Sequence, residues 1–129
     1  MNEEKPLDRA AVREFVIAGH GNPERVVRML EEQPGLLNAC WNWTEGDWET
    51  ALGGAAHCGR RDIARLLLER GARMDIFAAA MLDEIDIVKS IVKSQPAART
   101  APGPHGIPLL SHAEAGKATR VLEYLKSPG

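Results

Sequence analysis

Apolar residues recur along this chain in short helical stripes, each broken by glycine. Ile63, Leu66 and Leu67 share one face of a helix that starts near Asp62, and Gly71 stands where that helix would stop. Ahead of it, a short helix that opens with Ala51-Leu52-Gly53-Gly54-Ala55-Ala56 ends at Gly59. The same couplet appears three more times. Phe15 to Gly21 leads into Val26, Val27, Met29 and Leu30; Phe77 to Leu82 leads into Ile87, Val88, Ile91 and Val92; Leu109 to Gly116 leads into Val121, Tyr124 and Leu125. The pattern predicts about eight short helices in four antiparallel pairs. The units run over 11–48, 49–75, 76–104 and 105–127, in one domain that spans 1–129.

Two internal registers support the repeat. Gln33-Pro34 returns as Gln95-Pro96, a shift of 62 from residue 33 to residue 95. Leu52 and Gly59 match Leu109 and Gly116, a shift of 57 in both cases. Helices of about ten residues are marginal in isolation. Stacked neighbours turn their separate apolar stripes into one continuous core, with small side chains such as Ala55, Ala56, Ala79, Ala80 and Ala113 allowing close approach.

The segment Thr50-Ala51-Leu52-Gly53, with Ala55-Ala56, Gly59 and Gly71-Ala72, resembles the ankyrin repeat. The proline and histidine of that family's signature turn are missing here, while Pro108 stands in the proline place of the last unit. The resemblance implies an all-α solenoid of stacked helix pairs with extended turns between units. It also implies a module that binds a protein partner through its concave side and performs no catalysis. Carried onto this chain, that side comprises Gly19 and His20, then His57 and Cys58, then Met81 and Leu82, then Glu114 and Ala115, with turn tips at 44–49 and 103–106.

One turn departs from the repeat. The stretch from Ala39 to Leu52 is five residues longer than its counterpart from Ala101 to Leu109. It holds all three tryptophans, Trp41, Trp43 and Trp48, and the acids Glu45, Asp47 and Glu49. Tryptophan is enriched among interface hot spots, and loops on rigid scaffolds carry function. Trp41 and Trp43 alternate as in an extended arm, with both rings on one side. Two readings stay open: the rings pack over the seam between the first two units, or at least one stands out for recognition. The expected partner surface is Trp41, Trp43, Thr44, Asp47, Trp48, Glu49, His57, Cys58, Met81 and Glu114. The acids at the tip suit a basic partner segment. Self-association through the tryptophans, and a small-ligand or catalytic use of the groove, are the alternatives.

Composition narrows the classes further. The 129 residues are 44% hydrophobic and 26% charged, which suits an ordered core rather than disorder. A net charge of −2 leaves no basic face for nucleic acid. No apolar run is long enough for a membrane span, and the first residues have no signal-peptide core. Two cysteines give no disulfide framework, which points to a reducing cytoplasm. The oligomeric state is open, with a monomer favoured. Charged first and last helices read as caps of a complete chain, with residues 1–8 and 127–129 frayed.

Candidate chemistry is sparse at this level. His57 and Cys58 are neighbours on a helix and point about 100° apart, so a reactive pair is not expected. Cys40 is expected to pack beneath the long turn. His20, His57, His105 and His112 lie in different units without metal-ligand spacing, so no metal and no cofactor is expected. His112, among alanines, reads as a structural histidine. Asp62, Asp83, Glu84 and Asp86 read as helix-start acids.

Overall fold

The computed structural model describes residues 5–128, so Met1 to Glu4 and Gly129, at the ends expected to fray, lie outside the described residues. Four helix pairs follow one another along the chain. They are α1 (Arg9–Gly19) with α2 (Pro23–Glu32), α3 (Ala51–His57) with α4 (Arg61–Glu69), α5 (Ile76–Met81) with α6 (Ile85–Ser94), and α7 (Leu109–Ala115) with α8 (Thr119–Lys126). The first helices form an inner row, with α1 on α3, α3 on α5 and α5 on α7. Each second helix packs on the inner helix of its own pair. This is the all-α stack of helix pairs that the apolar pattern predicts. Among the described residues, no helix is long and apolar enough to cross a membrane.

Local sequence explains where the helices start. Asn22 caps α2 by accepting the Arg25 N–H, with Pro23 in the first turn. Thr50 accepts the Gly53 N–H to cap α3, and Asp75 accepts the Ala78 N–H to cap α5. Asp83 departs from expectation. Its carboxylate does not cap α6; it accepts the Val121 N–H at 2.9 Å and the Arg120 Nε–H at 3.1 Å, so it caps the neighbouring outer helix α8. Left-handed backbone at Asp83 (φ 61°) aims the side chain away from its own helix.

The tails of units one and three match as expected. Gln33 and Gln95 end α2 and α6 with the same backbone, φ −140° and ψ near 84°, and each leads into a short 3-10 turn. The other register is corrected by one residue. The left-handed residue between the helices of a pair is Gly59 in the second unit and Lys117 in the fourth, and the preceding caps are Thr50 and Pro108. The true shift is therefore 58, from residue 59 to residue 117. Gly116 answers to Cys58, and Pro108 occupies the cap position rather than the first helical turn. Gly116 owes its identity to packing instead.

The core is aliphatic and small. Phe15, Val16, Val26, Leu36, Leu52, Ile63, Leu67 and Met81 are fully buried in a first cluster that reaches from α1 to α5. Val88, Leu109, Ala113 and Val121 belong to a second cluster, and Met74 touches both. Each large buried aliphatic contributes about 1.5–3 kcal/mol. Arginines stitch the edges: Arg60 donates to the Gly21 carbonyl, Arg61 to the Gly116 carbonyl, and Arg99 to the Tyr124 carbonyl in the last turn of α8 and the Ser127 carbonyl just past it.

The inner row depends on missing side chains. A Cβ at Gly19 would lie 2.6 Å from the Ala51 carbonyl oxygen, and one at Gly116 would fall on the Met81 carbonyl. Gly46 differs, with φ +93° and open space around it. Gly116→Ala is therefore expected to cost about 3 kcal/mol or more, because backbone must move against backbone. Gly46→Ala is expected to cost only about 1–2 kcal/mol, through conformation alone. Urea unfolding midpoints of the two variants check this contrast, and equal midpoints would refute the packing argument.

Candidate functional site

The long turn folds into a β-hairpin. Strand β1 (Cys40–Asn42) pairs antiparallel with β2 (Trp48–Thr50), with Trp41 opposite Glu49 and Asn42 opposite Trp48. The tip closes through Trp43 N–H to the Asp47 carbonyl and Gly46 N–H to the Asn42 side chain. Trp41 and Trp43 do lie on one side, as their alternation predicts, and both pack half-buried against the first core cluster. Arg9 and Arg13 of α1 sit over the two rings at 5.9 and 5.8 Å. Trp48 goes the other way and is 58% exposed. Two of the rings thus pack against the core and the third stands out from it.

The hairpin delivers Glu49 into the interior. Its side chain has no exposure, and the carboxylate meets groups from four elements. The Trp43 indole N–H donates to Oε1 at 2.9 Å. His20, at the end of α1, places Nε2 3.1 Å from Oε1. His57, at the end of α3, places Nε2 3.0 Å from Oε2. His105, in the turn before α7, places Nε2 3.3 Å from Oε2. The rings pack edge to face, with centroids 4.9 Å apart for His20 and His57 and 5.3 Å for His57 and His105.

Each ring is also held from its far side. His20 Nδ1 lies 2.8 Å from the Val16 carbonyl oxygen. His105 Nδ1 lies 2.8 Å from Asp47 Oδ2, and the His105 backbone N–H donates to Asp47 Oδ1 at 2.7 Å. His57 Nδ1 lies 3.7 Å from Cys58 Sγ. The adjacent pair therefore does touch through its polar atoms, contrary to the sequence expectation. Reactivity does not follow, because burial, helped by the Glu49 charge, pushes the Cys58 thiol up and away from thiolate.

Glycines make the room. The ring of His20 occupies the space a Cβ at Gly54 would need, 2.5 Å from Cε1. Gly53, next to it, faces Glu49 Cγ at 3.3 Å and Pro104 Cγ at 3.5 Å. Burial alone would raise the Glu49 carboxyl; the His20 and His57 rings and the Trp43 indole outweigh it and hold the group well below the usual carboxylate range. His20 is raised in return by its contact with Glu49, against the pull of burial.

The structure sorts the expected partner residues. Thr44, Trp48, Cys58 and Glu114 are exposed. Trp41, Trp43, Asp47 and His57 are half-buried, the last three engaged in the cluster. Glu49 and Met81 are buried and cannot touch a partner, because one faces the histidines and the other the inner core. The acidic tip is corrected as well. Glu49 points inward and Asp47 holds His105, so only Glu45 of the three acids is exposed. Cys40 is exposed rather than tucked beneath the turn. His112 is the structural histidine expected, buried with Nδ1 2.9 Å from the Pro108 carbonyl, and burial lowers its pKa.

Sequence reasoning missed the cluster of His20, Glu49, His57 and His105, whose ligand atoms all lie within 4.8 Å of one another. The signal was present. His20 and His57 occupy the concave positions of neighbouring units, and His105 sits in a turn tip that the stack brings over them. Gly53-Gly54 inside a short helix also marks a close approach, since interior glycines cost helix stability. Removal of the central acceptor is expected to be severe. In the presence of a chelator, Glu49→Ala should lose about 3–5 kcal/mol of unfolding free energy, because the half-buried His20 and His57 rings and the Trp43 indole lose their common partner. A loss under about 1 kcal/mol in urea titration would show that the carboxylate holds nothing together. Acrylamide quenching tests the sorting of the rings: Trp48→Phe should remove most of the quenchable, red-shifted emission, and Trp41→Phe should not.

The ankyrin repeat family model matches residues 47–79, from the hairpin through α3 and α4 into α5. No curated protein and no solved structure matches the chain. The helix–turn–helix geometry of the matched stretch recurs on both sides of it, with the same inner-row packing. The chain thus carries an ankyrin repeat at residues 47–79.

Proposed function

We propose that this chain binds a protein partner through its β-hairpin and the adjoining concave face. Ankyrin repeats are generally protein-interaction modules. The observation that carries the reading for this chain is Trp48, more than half exposed on a hairpin whose backbone is tied down at both ends. It borders a cleft of about 320 Å³ lined by Leu7, Arg9, Val12, Cys40, Trp41 and Asn42. An exposed indole beside a cleft with both polar and apolar walls combines a rigid anchor with a place for a partner side chain. Exposed Thr44, Cys58 and Glu114 extend the surface along the groove. The chain's net charge of −2 and its two free cysteines favour a protein partner over nucleic acid, in a reducing cytoplasm.

The test places a photo-crosslinking amino acid at position 48 in cells that make the protein. A discrete crosslinked partner is expected, and Trp48→Ala should weaken its binding to the purified chain about 30-fold or more, as for an interface hot spot. Unchanged affinity would remove the hairpin from the interface. A crosslink to a second copy of the chain, with sedimentation that depends on concentration and on Trp48, would assign self-association instead.

A further inference from the structure

Three imidazole nitrogens and a buried carboxylate converge on one point, and their hydrogen atoms are accounted for elsewhere. The Val16 carbonyl can only accept, so His20 carries its hydrogen on Nδ1 and donates it there. His105 likewise directs Nδ1 to the Asp47 carboxylate. In the neutral rings, both Nε2 atoms then present lone pairs toward Glu49, which itself offers only lone pairs. His57 Nε2 and Glu49 Oε2 are the sharpest case. They lie 3.0 Å apart, both are buried, and neither has an aligned hydrogen-bond partner. A buried polar atom left this way calls for an explanation, and a bound ion is one.

We infer that His20 Nε2, His57 Nε2, His105 Nε2 and the Glu49 carboxylate form a site for a divalent first-row transition-metal ion of the Zn²⁺ class. The donor set suits that class, since imidazole and carboxylate together match borderline cations. The spacing suits it too. Bonds of about 2.0–2.1 Å in a tetrahedral site put neighbouring donors about 3.3 Å apart. The three nitrogen-to-carboxylate separations are 3.1, 3.0 and 3.3 Å. All four donor atoms lie within 4.8 Å of one another.

The outer contacts are those a metal site requires. A ligating histidine donates its other N–H to a carbonyl or a carboxylate, which fixes the ring and raises its basicity. Val16 and Asp47 provide these acceptors for two rings, and the Cys58 sulfur lies by the third. Charge favours the ion as well. Three imidazoliums against Glu49 and Asp47 leave a net +1 in a confined space, whereas one divalent ion with neutral rings leaves zero. The His20 and His105 side chains, 24% and 33% exposed, leave a route in from solvent. The ion would pin α1, the hairpin, α3 and the turn before α7 to one point. That is a clamp joining the first, second and fourth units.

The test uses the untagged full chain, stripped with a chelator and titrated with Zn²⁺ by calorimetry and with Co²⁺ by visible spectroscopy. One equivalent of Zn²⁺ is expected, with an intense Co²⁺ d–d absorption from a low-coordinate site and a raised unfolding temperature. His105→Gln, on an exposed loop that leaves the core intact, should weaken binding by at least about 100-fold, and Asp47→Asn by about 10-fold. His112→Gln, outside the cluster, should leave affinity unchanged. Absence of stoichiometric binding by Zn²⁺ or Co²⁺, or equal affinity in His105→Gln, would overturn the site. Neither result bears on the Trp48 interface, which is read by a separate variant.

Discussion

Close approach of the inner helices is the constraint from which the rest of the structure follows. Gly19 packs against the Ala51 backbone, Gly59 against the Ala115 carbonyl and Gly116 against the Met81 carbonyl. With no Cβ at these contacts, the ends of α1, α3 and α7 come near enough for side chains there to meet. The neighbouring rings of His20 and His57, 4.9 Å between centroids, are a direct consequence. So is the packing of α3 against α7 as well as α5, which lets the turn before α7 reach the second unit. Larger residues in the inner row would spread the helices and leave each histidine solvated in its own unit.

Within that frame, the hairpin is a device for burying one carboxylate. An isolated ionised carboxyl in an apolar interior is strongly unfavourable unless its lone pairs are met. Glu49 is met by an indole N–H and faced by three imidazoles, which is why it stays ionised despite burial. The long turn supplies both strands and the Glu45-Gly46 reversal, where both residues have positive φ. The same hairpin then presents its two sides differently. Trp41 and Trp43 seal the seam over α1 beneath Arg9 and Arg13, and Trp48 remains at the surface. A binding face and a polar cluster thus share a backbone, and the cluster holds that backbone in place.

The helical plan was legible because it rests on local physics. Apolar periodicity, the caps at Asn22 and Thr50 and the Gln-Pro tails at 33 and 95 all act within a few residues. Where sequence reading slipped, a longer-range contact had changed a residue's meaning. Asp83 reads as a helix-start acid for α6 and instead caps α8. Gly116 reads as the inter-helix glycine and instead yields space to Met81, with Lys117 taking the left-handed turn. Glu49 and Met81 read as groove residues and are buried.

The sequence by itself determined that this chain is a stack of short helix pairs, that its fold resembles the ankyrin repeat and that one long turn concentrates its tryptophans. These are properties of spacing and composition. Only the tertiary structure decided that His20, Glu49, His57 and His105 share one point and that Trp48, rather than Trp41 or Trp43, faces outward. The physical reason is that these four residues are spread over 85 positions of chain, from 20 to 105. No local pattern relates them, and only the backbone contacts between inner helices set their separation.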